Sequence, residues 1–169
     1  KNFMVSIHSE TIGKNLSYEN LGIVFKALDK FKEFSFIFTA SNNDHGGGKI
    51  NEKIKENVKK NNNFYFINSF GKEDYFSMLN NVDGVIGNSS SGIIEAPTFK
   101  IGSINLGNRQ KGRIASKSII NCNFEIKEIQ KKIIKLTSKK FILKIKKYQN
   151  PYESKKNILQ EIKNKLLKV

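Results

Sequence analysis

The sequence has 169 residues, enough for one compact α/β domain with a real core. Apolar residues make up 38%, and no apolar run approaches the roughly 20 needed to span a bilayer. The N-terminus has no secretory pattern, so neither a membrane partner nor export is expected. The net charge of +15 does not by itself argue for nucleic acid. Twenty-eight of the thirty basic residues are Lys, and Lys, Asn and Ile are all abundant, which reads as compositional drift. From Glu125 onward fourteen Lys stand against four acids, ten of the fifteen net charges, and they alternate with Ile and Leu at helical spacing. That is the pattern of solvated helices, whereas nucleic-acid surfaces mix Arg with exposed aromatics. The single Cys122 excludes an internal disulfide and a cysteine-based metal cluster, so a reduced, cytoplasmic setting is expected. The sequence opens on Lys1 and enters an apolar run within two residues, which leads us to expect a chain cut at a domain boundary.

In chain order, Phe3 to His8 is a short strand. Leu16 to Phe31 carries Leu21, Val24, Phe25 and Leu28 at the spacing of an amphipathic helix. Phe34 to Thr39 is a second strand, followed by a Gly/Asn loop from Ser41 to Lys49 and a helix from Ile50 to Lys60. Phe64 to Ile67 is a third strand, Lys72 to Asn81 a helix, and Val82 to Ile86 a fourth strand. That strand runs into Gly87-Asn88-Ser89-Ser90-Ser91-Gly92 and a helix from Ile93 to Phe99, and Ile101 to Leu106 is a fifth strand. The remainder reads as helical, over Glu125 to Thr137 and again over Tyr152 to Leu167.

Short strands alternating with crossover helices predict a parallel sheet covered on both faces, a Rossmann-like, doubly wound α/β domain over residues 1–169. Ligands of such sheets lie beyond the C-terminal strand ends. The polar clusters fall there: His8, the Asn42–Gly48 loop, Ser69–Phe70, Ser89–Gly92 and Gly107–Arg109.

The Gly87–Gly92 run follows a strand and opens a helix, where unpaired N–H groups, the helix dipole and serine hydroxyls suit a phosphate or diphosphate. Plain N-capping would need one serine, and three stand here between two glycines. Glu95 has two readings. A carboxylate on a first helical turn is favourable in any protein, and it could also accept both hydroxyls of a ribose whose phosphates sit on the serines. Absence of a GxGxxG fingerprint argues against NAD, and no cofactor is expected. Arg109 and Arg113, the two arginines of a lysine-rich chain, suggest a guanidinium fork for a phosphate or carboxylate, against chance placement on a surface loop. His8 ends the first strand, where an imidazole is either a structural residue or a general acid or base. Phe70 is either a lid over a base or loop packing. Asn42 and Asp44 are turn residues or ligand contacts, His45 has no partner pattern, and Cys122 no nucleophile signature.

Two longer stretches then carry a resemblance. Ile86-Gly-Asn-Ser-Ser-Ser-Gly-Ile-Ile-Glu-Ala-Pro97 and Ile104-Asn-Leu-Gly-Asn-Arg-Gln-Lys-Gly-Arg113 resemble the hallmark of hydrolysing UDP-N-acetylglucosamine 2-epimerases of sialic acid and related amino sugar pathways. Asn42-Asn-Asp44 and Asn150-Pro-Tyr152 are similar to further stretches of that family. Non-hydrolysing relatives carry Ser-Gly-Gly-x-Gln-Glu-Glu where this chain has Ser-Ser-Ser-Gly-Ile-Ile-Glu. Ser9 and Ser41 depart from the family pattern in ways that affect loop shape more than chemistry.

The resemblance implies the C-terminal half of a GT-B-type two-domain enzyme that converts UDP-N-acetylglucosamine and water into N-acetylmannosamine and UDP. It implies His8 as catalytic, and Asn42, Phe70, Ser89, Ser90, Gly92, Glu95 and Arg109 as UDP or substrate contacts, with no metal. It also implies an N-terminal domain, not contained in these residues, that supplies acid/base carboxylates, and a homo-oligomer in the full-length form. The fragment alone is expected to be inactive. Two alternatives share the fold: the nucleotide-sugar-binding half of a GT-B glycosyltransferase, and a non-catalytic UDP-binding module.

Overall fold

A computed structural model describes residues 1–9, 16–41, 47–153 and 158–167. Among these residues six strands form one all-parallel sheet in the order β3-β2-β1-β4-β5-β6. The strands are β1 (Asn2–Ser6), β2 (Ser35–Thr39), β3 (Phe64–Ile67), β4 (Gly84–Gly87), β5 (Gly102–Leu106) and β6 (Ile119–Cys122). The helices are α1 (Leu16–Leu28), α2 (Gly47–Val58), α3 (Gly71–Asn81), α4 (Ser91–Ile94), α5 (Ile126–Thr137), α6 (Lys139–Ile145) and α7 (Ile158–Leu166). The strand order reverses between β1 and β4. This is the Rossmann order, and its switch point opens a crevice outside the C-terminal ends of those two strands.

Because successive strand residues face opposite sides, each strand feeds two cores. Phe3, Val5, Phe36, Phe38, Ile86 and Ile104 pack under α1, α2 and α5. Met4 and Val85 pack with Leu79 of α3 and Ala96 on the other face. In the first core the rings of Phe3, Phe25, Phe36, Phe38 and Phe64 lie 5.2–6.1 Å apart in stacked, tilted and edge arrangements. Each such ring removes a large apolar area from water, about 1.5–3 kcal/mol apiece.

The doubly wound architecture expected from the sequence is what the chain adopts. Three local readings change. A sixth strand and the short α6 were not anticipated, because Ile119–Cys122 is only four residues and Asn121 interrupts its apolar pattern. α6 exists through packing: Phe141 and Ile145, with Leu136 of α5, fill the space over Gly102, where a Cβ would stand 2.4 Å from Leu136 Cδ1. The helix expected over Ile93–Phe99 is a single α turn, α4, followed by a 3₁₀ turn over Ala96–Phe99. Pro97 has no N–H to donate to the preceding turn and disfavours helical geometry at the residue before it, so the α-helix stops. Finally, Pro151 and Tyr152 form a turn held by the Tyr152 N–H donating to Asn150 Oδ1 at 3.0 Å, so the helix expected from Tyr152 is not formed there; α7 covers Ile158–Leu166.

Candidate functional site

The switch point decides which loops meet. β1 and β4 are neighbours, with Ser6 in register with Gly87, so the residues after them emerge side by side. Gly87 has φ +145, and a Cβ there would lie 1.9 Å from the Ser6 carbonyl oxygen. Only glycine lets the two backbones close to this distance before the chain turns. Past Gly87 the Asn88 N–H donates to Ser6 O at 3.1 Å. The Asn88 side chain then reaches across to His8: Oδ1 accepts from the His8 N–H at 2.8 Å and Nδ2 donates to the His8 carbonyl at 2.9 Å. The Asn88 carbonyl accepts from Gln110 Nε2 at 2.8 Å and Arg109 Nη1 at 3.2 Å. The ends of β1, β4 and β5 are thus tied together through one buried asparagine.

His8 is buried and lines a cavity of about 270 Å³ with Ser6, Thr39, Phe70, Tyr75 and Ser89. Phe70 is half-buried there and packs edge-on against Tyr75 at 6.4 Å, so it both walls the cavity and belongs to the second core. Ser89 and Ser90 are half-exposed, and among the described residues their backbone N–H groups have no acceptor. The Asn88 carbonyl points at Arg109 and Gln110. The Ser89 N–H, trans across the same planar peptide, therefore points the opposite way. The serine turn keeps the donors an anion needs, although α4 is one turn long and its dipole contributes little. Gly92 is buried against Ser103 and Val85, where a Cβ would make ordinary contact at 3.5–3.6 Å.

Glu95 does not stand on the first turn of a long helix; it joins α4 to the 3₁₀ turn. Its Oε2 is buried with no hydrogen-bond partner. It lines a second cavity of about 380 Å³ with Phe76, Ile94, Thr98, Phe99, Asn150 and Tyr152. Tyr75 lines the first cavity, its ring meets that of Phe76 from the second at 6.1 Å, and its hydroxyl shares a hydrogen bond with Ser91 Oγ. Burial, with the Glu95 charge adding and the Ser91 bond opposing, raises the Tyr75 phenol pKa, so it stays protonated across the physiological range. Arg113 lines a third cavity of about 310 Å³ with Asn105, Gln110, Asn121 and Cys122, a cavity that Arg109 does not line. Burial, reinforced by Glu128, pushes the Cys122 thiol up to about 12, which suits an inert side chain. Asn42, Asp44 and His45 lie outside the described residues.

The site therefore brings His8, Phe70 and Ser89 together in one cavity, while Arg109 bonds the Asn88 carbonyl on the opposite side of the Asn88–Ser89 peptide from the Ser89 N–H, and Glu95 lines a separate cavity. Asn88, Gln110 and Tyr75 were not singled out from the sequence. The available signal was an asparagine between a strand-ending glycine and a serine, where a buried amide commonly bonds a neighbouring backbone. Among the described residues no group of three His, Cys, Asp or Glu could hold a metal, and no helix is long and apolar enough to cross a membrane.

The family model described as UDP-N-acetylglucosamine 2-epimerase matches residues 1–164. The chain is 35% identical over 162 residues to polysialic acid biosynthesis protein P7 of Escherichia coli, covering 95% of this chain and 41% of that protein. It is 36% identical over 140 residues to a GDP/UDP-N,N'-diacetylbacillosamine 2-epimerase (hydrolyzing) of Campylobacter jejuni, covering 82% and 36%. Among solved structures, a Staphylococcus aureus MnaA–UDP co-structure has TM-score 0.71 at 16% identity, covering all of this chain and 46% of that one. A Neisseria meningitidis UDP-GlcNAc 2-epimerase bound to UDP-GlcNAc has TM-score 0.70 at 16% identity, covering 100% and 44%. At these identities the structures establish the common fold. The chain spans about two-fifths of the length of the curated relatives it matches.

Proposed function

The chain belongs to the UDP-N-acetylglucosamine 2-epimerase family, and from that premise we propose that it is the nucleotide-gripping, C-terminal half of a hydrolysing epimerase. The full-length enzyme then converts UDP-N-acetylglucosamine and water into N-acetylmannosamine and UDP. The observation that carries this reading is the meeting of His8 with the serine turn at the switch point, joined through Asn88. Breaking the anomeric C–O bond puts negative charge on the departing diphosphate. The hydroxyls of Ser89 and Ser90 and their N–H groups, which have no acceptor among the described residues, are donors suited to that charge, and the Arg109 guanidinium, bonded to the Asn88 carbonyl behind the turn, adds positive charge nearby. The His8 imidazole, in the same cavity as Ser89, assists departure of UDP as a general acid/base group.

Phe70 walls the His8 cavity and offers an aromatic surface to uracil. The unpartnered Oε2 of Glu95 supports a carboxylate that accepts ribose hydroxyls. Gly92, which follows the three serines, and Asn42 contact UDP or the sugar. Removal of the proton at sugar C2 belongs to carboxylates of a preceding domain, so residues 1–169 alone have no turnover. The full-length form is a cytoplasmic homo-oligomer.

The test is to incubate the full-length protein with UDP-N-acetylglucosamine and identify the sugar released. N-acetylmannosamine with stoichiometric UDP is expected, and His8→Ala lowers kcat by roughly 10²–10⁴-fold with UDP affinity within a few-fold. Transfer of N-acetylglucosamine to an acceptor would favour the glycosyltransferase reading, and UDP binding without turnover the non-catalytic module. Likeness to the Campylobacter jejuni protein supports including a 6-deoxy diacetamido UDP-sugar in the same assay.

A further inference from the structure

β1 and β4 stop pairing at Ser6 and Gly87, yet His8 lies two residues beyond the last ladder position of its strand. A residue there has lost the sheet's hold on its backbone, and an imidazole used in chemistry must be placed to a fraction of an ångström. The Asn88 side chain supplies the hold. A carboxamide carries the same donor and acceptor as a peptide unit. At 2.8 and 2.9 Å it engages both the N–H and the C=O of His8, the two-bond exchange that two opposed residues make in an antiparallel ladder. Pairing is thus extended past Gly87 by a side chain, which releases the Asn88 main chain to turn away into Ser89 and Ser90.

The polar groups of Asn88 are all engaged within the site. Its N–H bonds Ser6 O, its amide clamps His8, and its carbonyl takes Gln110 Nε2 and Arg109 Nη1. The residue is 1% exposed, so solvent cannot replace these partners. We propose that Asn88 is a positioning residue for the reaction, one that aligns His8 with the serine turn and Arg109. This rests on the catalytic reading of His8 given above.

A purely structural role for Asn88 would destabilise the protein and weaken everything together. A positioning role acts through His8 and disappears when His8 is removed. In the full-length protein, assayed for N-acetylmannosamine release from UDP-N-acetylglucosamine, Asn88→Ala is expected to lower kcat about 100-fold. KM and calorimetric UDP affinity stay within about threefold, because the interaction lost serves the transition state. In a His8→Ala background the same change is expected to cost less than about threefold more, since both act as a unit. Asn88→Asp has nearly the same volume and keeps an acceptor for the His8 N–H. It covers failure of the alanine variant to fold, and because its second oxygen faces the His8 carbonyl to which Nδ2 now donates, its kcat is expected to fall well below wild type. Full kcat in either folded variant, or additive losses in the double variant, overturns the role. A His8→Ala enzyme with wild-type turnover overturns the proposed function itself, a separate result visible without any change at Asn88.

Discussion

The two halves of the sheet are built from different materials. β1, β2 and β3 read NFMVS, SFIFT and FYFI, while β4, β5 and β6 read GVIG, GSINL and IINC. The first half is held by interlocking phenylalanines on one face, a source of stability that depends on volume and tolerates little loss. The second is held by close approach, with Gly87 against the Ser6 backbone and Gly102 under Leu136, Phe141 and Ile145. Close approach brings backbone amides and short polar side chains to the strand ends in fixed positions. One half supplies cohesion, and the other supplies the precision that an anion site needs.

The sharpest way to break this contrast is Gly87→Ala. A Cβ 1.9 Å from the Ser6 carbonyl, at a φ that L-residues avoid, forces β1 and β4 apart. We expect a loss of several kcal/mol, read as little folded protein or a large drop in thermal midpoint, with UDP binding lost alongside. Phe36→Ala tests the other half. Phe36 is fully buried, stacked on Phe3 at 5.7 Å and edge-on to Phe64 at 5.6 Å. Chemical denaturation should show about 3–5 kcal/mol lost, while UDP affinity of the folded fraction stays unchanged. Weakened UDP binding in folded Phe36→Ala would erase the division between halves.

Smaller effects sharpen the site. Glu95→Ala should weaken UDP binding by roughly 1–3 kcal/mol in calorimetry, the cost of a charged hydrogen bond to a ribose hydroxyl, with stability little changed. Equal affinity would return Glu95 to packing at the end of α4. The smallest effect is at Cys122. Its folded thiol pKa of about 12 lies above its ordinary 9.0, so the native state holds a proton that the unfolded chain loses first. Stability from this group is therefore intact below pH 9 and declines as pH rises toward 12. Alkylation of the native protein near neutral pH should be far slower than in denaturant, and equal rates would show the thiol is not buried as described.

Architecture was legible because it rests on periodicity. The apolar spacing of Leu21, Val24 and Leu28, and strands such as Phe34–Thr39, are local signals that packing then reinforces. Of the site, the strand-end polar residues were legible because a parallel sheet has one ligand edge whatever its details. What stayed hidden depends on distant partners. α6 forms because Gly102 leaves room for Phe141 and Ile145, and Glu95 sits at a junction because Pro97 ends α4 one residue earlier.

The residues themselves determined that this chain would make a doubly wound parallel sheet with a serine-lined turn after β4, since hydrophobic period and glycine placement are properties of neighbours in sequence. Only the tertiary structure decided that Asn88, 80 positions along, would hold His8 by both sides of its backbone, and that Arg109 would bond the Asn88 carbonyl. The strand order brings β4 beside β1, and hydrogen bonds act over about 3 Å regardless of how much chain lies between.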